Sequence, residues 1–182
     1  MPDTAAYEQL ITQFDTDKLL ELWQAIIAGE TPGWEAGKAF EYLVLRAFQI
    51  EGAEIRWPYR VVIGGDEIEQ IDGVVYSDSL ACLVECKDQA ERANIEPIAK
   101  LRNQLLRRPG SAIGSVFSRS GFTEPAITLA RFIAPQTILL WDGPEVVYAL
   151  QRQVMRHALL AKYRFCVERG LPAYNIQIEE LP

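Results

Sequence analysis

The sequence predicts an α/β fold, and three observations support this prediction. Apolar residues at helical spacing occupy both ends of the 182-residue chain. Between them, short apolar runs bounded by turn residues alternate with helical stretches, as strands and helices do in α/β proteins. One run, residues 80–87, is almost wholly apolar, which is typical of a strand covered on both faces. The length fits one domain with added helical segments.

The first half of the chain predicts helices followed by a hairpin. Residues 4–29 are helical in pattern, with a break expected near residues 15–17, and residues 31–33 (Thr-Pro-Gly) end this segment. A second helix is predicted over about 33–50, where five apolar residues recur at helical spacing. They are Phe40, Leu43, Val44, Ala47 and Phe48. Gly64 and Gly65 tolerate the positive φ of a tight turn, so 55–63 and 67–77 are predicted to pair as a hairpin.

The second half predicts alternating strands and helices. Strands are expected at 80–87, 111–118 and 137–141, and helices at 96–108 and 123–133. On the first of these helices, Ile98, Leu101, Leu105 and Leu106 are the expected apolar face. Thr123 is a suitable N-cap, and Pro125 lies in the tolerant first turn. One long helix over about 144–169 and a tail with Ile176 and Ile178 complete the chain.

Charged residues at the end of the buried strand point to chemistry. Glu85 and Lys87 alternate on one face of strand 80–87, where burial is costly unless they pair or hold an ion. Asp72 lies on the preceding predicted strand, and residues 77–79 supply the turn between the two. Adjacent strands would therefore bring Asp72 beside Glu85. Two carboxylates with a lysine beside them are expected for metal-assisted attack of water on a phosphodiester.

Structural explanations of the same residues stay open at this point. Glu85 and Lys87 could form a simple ion pair at a strand end, and Asp72 could begin the turn toward Ser77. An Asp followed by an acid-x-Lys triplet is short enough to occur by chance.

Over residues 33–150 the chain resembles the PD-(D/E)xK nuclease superfamily, most closely its Mrr-type restriction endonuclease branch. Five segments carry the resemblance: 37–41 (GKAFE), 71–73 (IDG), 84–87 (VECK), 118–123 (SRSGFT, followed by Ala126 and Ala130) and 139–143 (LLWDG). The chain departs from the pattern where no proline precedes Asp72 and where Gln70 replaces a small or acidic residue. Glu85, where some Mrr-type proteins have Gln, is the better metal ligand.

The resemblance implies a restriction-endonuclease-like core over 33–150, a mixed five-stranded sheet flanked by helices. Helical additions would occupy 1–32 and 151–182. It also implies Mg²⁺-dependent DNA cleavage with Asp72, Glu85 and Lys87 as the catalytic set. Asp72, Glu85 and the backbone carbonyl of Cys86 would hold Mg²⁺, for which Mn²⁺ is expected to substitute. Lys87 would orient the attacking water and stabilise charge growing on phosphorus.

Glu41 has two interpretations. It lies beside the apolar stripe of helix 33–50, where it could reach inward to the strand carboxylates and hold a water or a second ion, completing the catalytic set. It could equally pair with Lys38 on the surface.

The charge distribution predicts a DNA-binding surface. Net charge is −7, yet residues 1–98 hold 7 basic and 19 acidic side chains, whereas 99–169 hold 11 basic and 4 acidic ones. A basic half on an acidic protein is a candidate phosphate-facing surface. Its predicted DNA contacts are Lys100, Arg102, Gln104, Arg107, Arg108, Arg119 and Ser120. The alternative is that this half carries only solvated Lys and Arg, with Lys100 and Gln104 as surface residues.

Composition narrows the functional classes. No apolar run approaches the ~20 residues of a membrane span. The absence of a secretory signal pattern and the wide spacing of Cys82, Cys86 and Cys166 predict reduced thiols in the cytoplasm. His157 is the single histidine, so no zinc site is predicted. The leading hypothesis is a DNA endonuclease. The alternatives are a catalytically silent nucleic-acid-binding protein on this scaffold and a structural protein that forms a homodimer through its long C-terminal helix.

Overall fold

The computed structural model describes residues 4–178. Residues 1–3 and 179–182, the outer ends of the two predicted helical additions, lie outside the described residues. Within this range the chain forms seven helices and seven strands. In chain order they are α1 (Thr4–Ile11), α2 (Thr16–Ala28), α3 (Lys38–Ile50), β1 (Glu54–Arg56), β2 (Tyr59–Ile63), β3 (Asp66–Ile71), β4 (Gly73–Ser77), β5 (Leu80–Lys87), α4 (Glu96–Leu105), β6 (Ile113–Ser118), α5 (Glu124–Phe132), β7 (Ile138–Asp142), α6 (Gly143–Arg152) and α7 (Met155–Arg169).

The centre of the fold is a mixed five-stranded sheet in the order β1-β4-β5-β6-β7. The pairs β1–β4 and β4–β5 are antiparallel, whereas β5–β6 and β6–β7 are parallel. This arrangement confirms the predicted sheet. Because β5, β6 and β7 run the same way, Lys87, Ser118 and Asp142 lie side by side at their carboxyl ends.

Helices cover both faces of this sheet. The cluster on one face joins side chains of α1, α2, α3, α6 and α7 to inward-facing residues such as Val84 and Trp141. The cluster on the other face joins α4 and α5 to alternate strand residues such as Leu83 and Leu140. Strand β5 is therefore buried on both faces, as its apolar sequence predicts. The terminal helices share the larger core with α3.

The prediction of one continuous strand over 67–77 is wrong. The chain changes sheets at Asp72: β3 pairs with β2 in a separate hairpin that turns at Gly64 and Gly65, and β4 enters the main sheet. A close approach to α3 accompanies this change, because a Cβ at Gly73 would lie 2.6 Å from the Leu45 side chain. Asp72 thus occupies the junction of two strands rather than a strand interior.

The prediction of a single long C-terminal helix is also wrong. It divides into α6 and α7 at Gln153, whose φ of 55° is left-handed. The break turns Val154 and Met155 into the core, and Glu51 caps α7 by accepting from the Met155 and Arg156 amides at 2.8 and 3.0 Å. The predicted break in the N-terminal helix is confirmed, with Asp15 as N-cap of α2.

Of the more local predictions, some are confirmed and others are wrong. The capping of α5 by Thr123 is confirmed. Helix α4 ends at Leu105, so Leu106 is exposed rather than part of its apolar face, and in the tail Ile176 is buried whereas Ile178 is exposed. Cys82, Cys86 and Cys166 are free thiols. Over residues 4–178, no helix has the length and apolar content to cross a membrane.

Candidate active site

The site forms where the junction between β3 and β4 meets the carboxyl end of β5. Asp72 is buried there, and its Oδ2 accepts a hydrogen bond from the Cys86 amide at 2.9 Å. Gly73 is in register with Val84. This pairing places the Asp72 carboxylate beside the strand that carries Glu85 and Lys87. The structure therefore brings these three residues together, and their chemical roles stay a prediction.

Glu85 is fully buried and lies between two lysines. Its Oε1 is 2.9 Å from Lys87 Nζ, and its Oε2 is 2.6 Å from Lys100 Nζ. Glu85 and Lys87 share a face of β5, as strand alternation predicts. Lys100 reaches the same carboxylate from α4. This residue, predicted to contact DNA, therefore lies within the cluster of site residues around Glu85.

Glu41 combines both of its interpretations. Its Oε2 lies 2.6 Å from Lys38 Nζ, yet the side chain is nearly buried rather than on the surface. Its negative charge contributes to raising the pKa of Asp72. Helix α3, which precedes the site strands in the chain, thus adds a third carboxylate to the site.

Burial and the crowding of carboxylates together set the electrostatics of the site. Burial, then the charges of Glu85 and Glu41, raise the pKa of Asp72 to about 7, against the lowering effect of Lys100 and the Cys86 amide. Burial likewise raises the pKa of Glu41, and Lys38 opposes this shift. A cation placed among these groups would relieve their repulsion.

The same surroundings raise the pKa of both the lysine and the thiol at the strand end. Burial lowers the pKa of Lys87, but its close contact with Glu85 and the charges of Glu85 and Asp72 raise it overall. Burial and the charge of Asp72 raise the pKa of the Cys86 thiol well above its usual value. Lys87 is therefore cationic, and the Cys86 side chain is neutral, which leaves its backbone as the group able to serve an ion.

The donors suit a hard divalent cation. Asp72 and Glu85 offer carboxylate oxygens, the ligands that Mg²⁺ prefers. Glu85 Oε1 is buried and accepts no hydrogen bond of good geometry, although Lys87 Nζ is close. Among residues 4–178 as they stand, no group of three or more His, Cys, Asp or Glu could hold a metal ion. The predicted ligands are two carboxylates and a backbone carbonyl, and lysines already contact one of those carboxylates.

Hydrogen bonds and ion pairs join the end of α4 to the hairpin that precedes Asp72. Gln104 is buried and donates from Nε2 to the Gln70 carbonyl at 3.0 Å, so its interpretation as a surface residue is wrong. Arg107 contacts the buried Glu69 carboxylate, and Arg108 Nη2 lies 2.6 Å from Glu69 Oε2. The burial of Glu69 has no signal in the sequence, because an acid in a polar hairpin segment is ordinarily exposed. Arg102 lies exposed near the end of α4.

The corner after β6 is fastened to the segment after Lys87. The Arg119 amide donates to the Lys87 carbonyl at 3.0 Å, and its side chain lies 2.6 Å from Asp88 Oδ1. Ser120 Oγ donates to the Gln89 carbonyl at 2.6 Å. Both residues thus hold the backbone beside the site, and their predicted contact with DNA stays a prediction.

Comparison with known proteins decides the family. The family model Mrr_cat, described as restriction endonuclease, matches residues 35–150. The chain belongs to this family. Membership supports a nuclease function and confirms the predicted restriction-endonuclease-like fold. A search of curated proteins finds no significant match.

Two solved structures are similar to the Mrr-type chain. One is a protein of unknown function, AF1548, with 20% identity and a TM-score of 0.50, and the match covers 72% of this chain and 77% of that one. This likeness shows the fold alone. The other is the MspJI restriction endonuclease in complex with a 27-mer oligonucleotide, at 17% identity and a TM-score of 0.43. The match covers 88% of this chain but 36% of MspJI.

Proposed function

We propose that this chain is a divalent-metal-dependent DNA endonuclease that hydrolyses phosphodiester bonds, with Mg²⁺ as its cofactor and Mn²⁺ able to substitute. One observation carries the proposal. Asp72 is held against the Cys86 amide beside Glu85, and burial together with the charges of Glu85 and Glu41 raises its pKa. Buried carboxylates that repel one another favour a bound cation, and Mrr-type family membership makes phosphodiester hydrolysis the matching chemistry.

Each residue of the site then has a role. Asp72 and Glu85 would hold the ion with the Cys86 carbonyl, and Glu41 would orient a water or a further cation beside them. A divalent ion there supplies polarisation of the phosphoryl oxygen and a lower pKa for the attacking water. Lys87, cationic and one-third exposed, orients that water and stabilises charge that develops on phosphorus.

The test compares metal binding with cleavage. Mn²⁺ binding is measured by calorimetry in the wild type, Asp72→Asn and Glu85→Gln, and cleavage is measured on supercoiled, linear, methylated and branched DNA. Asp66→Asn, at an exposed position of the β2–β3 turn, is the matched control. We expect both site variants to lose metal binding and cleavage while they stay folded, and the control to retain both.

The same experiment separates the alternative. A wild type that binds DNA, but neither binds Mn²⁺ nor cleaves any of the four substrates, is a catalytically silent binding protein. Unchanged Mn²⁺ affinity in both site variants would place the metal elsewhere and contradict the proposal.

A further inference from the structure

The carboxylates of the site are already balanced by ammonium groups. Three acids and three lysines form one group. Lys38 contacts Glu41, and two further lysines contact Glu85. The acids are Glu41, Asp72 and Glu85, and the lysines are Lys38, Lys87 and Lys100. When all are ionised, their charges cancel. A divalent ion added to this buried group would leave two uncompensated positive charges, and uncompensated buried charge is strongly unfavourable.

Release of one lysine into solvent when the ion binds would remove one of these two charges, and the exposure of the side chains indicates which lysine is released. The Lys100 side chain is 40% exposed, compared with 33% for Lys87 and 18% for Lys38. Lys100 also approaches from α4, a separate element, whereas Lys87 lies on β5 two residues from Glu85. Moving Lys100 into solvent consequently requires the least loss of buried contact.

The contact that Lys100 makes is the one an ion needs. Its Nζ lies 2.6 Å from Glu85 Oε2, and Lys87 Nζ lies on the other oxygen of the same carboxylate. A cation that binds Glu85 through Oε2 must displace the Lys100 ammonium. Released from Glu85, this ammonium stays on the same end of the sheet as Lys87, where a DNA phosphate would lie.

We infer that Lys100 is a built-in competitor for the divalent-metal site, which occupies Glu85 in the metal-free protein and moves to a substrate phosphate when the metal binds. The inference rests on the proposed function. It assigns to Lys100 a regulatory role in loading the metal as well as a role in holding DNA. Lys100 acts through Glu85, so it is a positioning residue in the metal-free state.

The test measures Mn²⁺ affinity without DNA. Lys100→Met removes the ammonium and retains much of the stem, and Arg131→Met is the matched control, an exposed cation in the last turn of α5. Lys100→Met should bind Mn²⁺ about tenfold more tightly than the wild type, equivalent to about 1.4 kcal/mol. Arg131→Met should equal the wild type. Lys100→Gln provides a second variant should the first fold poorly.

A second readout follows the lysine itself. The ¹⁵N-detected ammonium signal of Lys100 should shift when Mg²⁺ is added to the wild type and should not shift in Asp72→Asn. In Ca²⁺, DNA binding by Lys100→Met should be weaker than that of the wild type, because the released ammonium is missing.

The outcomes distinguish this inference from the proposed function. Equal or weaker Mn²⁺ affinity in Lys100→Met, with Mn²⁺ binding intact in the wild type, overturns the competitor role and leaves the metal site standing. Absence of Mn²⁺ binding from the wild type and from both Lys100 variants overturns the metal site and the competitor role together. Binding that appears only when Lys100 is replaced supports the inference in its strongest form.

Discussion

Two buried acid–lysine groups lie at different places in this protein, and they are built in opposite ways. The first is Lys162 with Glu145, between α7, α6 and β7. Lys162 is fully buried, and its Nζ donates to the Leu140 carbonyl at 2.8 Å, to the Tyr174 carbonyl, and to Glu145 at 2.6 Å. The second is the group around Glu85, in which acids repel one another and the lysines are partly exposed.

The two groups differ in how completely their polar atoms are satisfied. Both oxygens of Glu145 also accept backbone amides, from Ile176 at 3.0 Å and Asp142 at 3.1 Å. One acid and one base with every atom bonded have no need of a further cation. By contrast, Glu85 contacts lysine side chains that are partly exposed, and burial together with the neighbouring carboxylates raises the pKa of Asp72. Repulsion between acids and partly exposed partners therefore distinguish the candidate site, whereas complete hydrogen bonding distinguishes the structural pair.

The largest effect we expect is loss of stability at the structural pair. Lys162→Met leaves Glu145 buried without its cation, which should lower the free energy of unfolding by about 3–5 kcal/mol. Urea denaturation measures this. The double variant Lys162→Met/Glu145→Gln should recover part of the loss, because no charge is then left alone. A single variant as stable as the wild type would show that the pair is not needed to hold the C-terminal segment.

At the Glu85 group, replacing a lysine should affect chemistry instead. Lys87→Met should slow DNA cleavage by about 100-fold or more, equivalent to roughly 2.7 kcal/mol of transition-state stabilisation, with little change in unfolding free energy. Single-turnover cleavage at saturating Mn²⁺ measures the rate. Should the variant instead lose Mn²⁺ binding, Lys87 serves only to hold Glu85, and the two groups are more alike than proposed.

The pH dependence of stability gives a smaller contrast. The pKa of Asp72 is about 7 in the folded protein, against an ordinary value of 3.8. The folded state thus retains a proton that the unfolded chain releases, so Asp72 lowers stability as pH rises from about 4 to 7. Asp72→Asn removes this effect. Its stability should exceed that of the wild type increasingly across this window, by on the order of 1–3 kcal/mol above pH 7.

Urea denaturation at several pH values, without metal, measures this difference. Asp66→Asn is the control, and its difference from the wild type should stay flat. A flat difference for Asp72→Asn would mean that the carboxylate is ionised throughout the range and that its repulsion is weak.

The strands of the site could be predicted because their signals are local. The sequence predicts strand β5 with its observed limits, since a run of five apolar residues that leads into Glu85, Cys86 and Lys87 needs no distant information. The step from Glu85 to Lys87 follows from strand alternation alone. The change of sheet at Asp72 could not be predicted in this way, because it depends on Gly73 packing against Leu45 on another element.

Contacts between residues far apart in the sequence explain the remaining differences between prediction and structure. Lys100 and Gln104 appeared as surface residues one helical turn apart, yet each reaches a strand more than ten residues away, at Glu85 and Gln70. The division of the C-terminal helix depends on Glu51, about a hundred residues earlier, which caps α7. The pattern of apolar residues within 144–169 gives no indication of that contact. The contacts of Arg107 and Arg108 with Glu69 are likewise long-range in sequence and leave no local signal.

The smallest effect concerns those arginines and a third buried acid, Glu69, which lies between the two extremes of the comparison. Arg108 is 16% exposed against Glu69, whereas Arg107 is 52% exposed. The buried Arg108 resembles the structural pair and the exposed Arg107 resembles the site lysines. Arg108→Gln should therefore lower stability with little specific effect on DNA binding.

Arg107→Gln should leave stability nearly unchanged, because Arg108 still neutralises Glu69. If Arg107 contacts a phosphate, the slope of log affinity against log salt should fall by about 0.9. DNA binding in Ca²⁺ over a range of KCl concentrations measures this slope for both variants. A slope that falls equally in both would make the two arginines a single DNA-binding unit. A slope that falls in neither would leave this end of α4 a structural clamp, and the DNA-binding surface would then centre on Lys87 and Lys100.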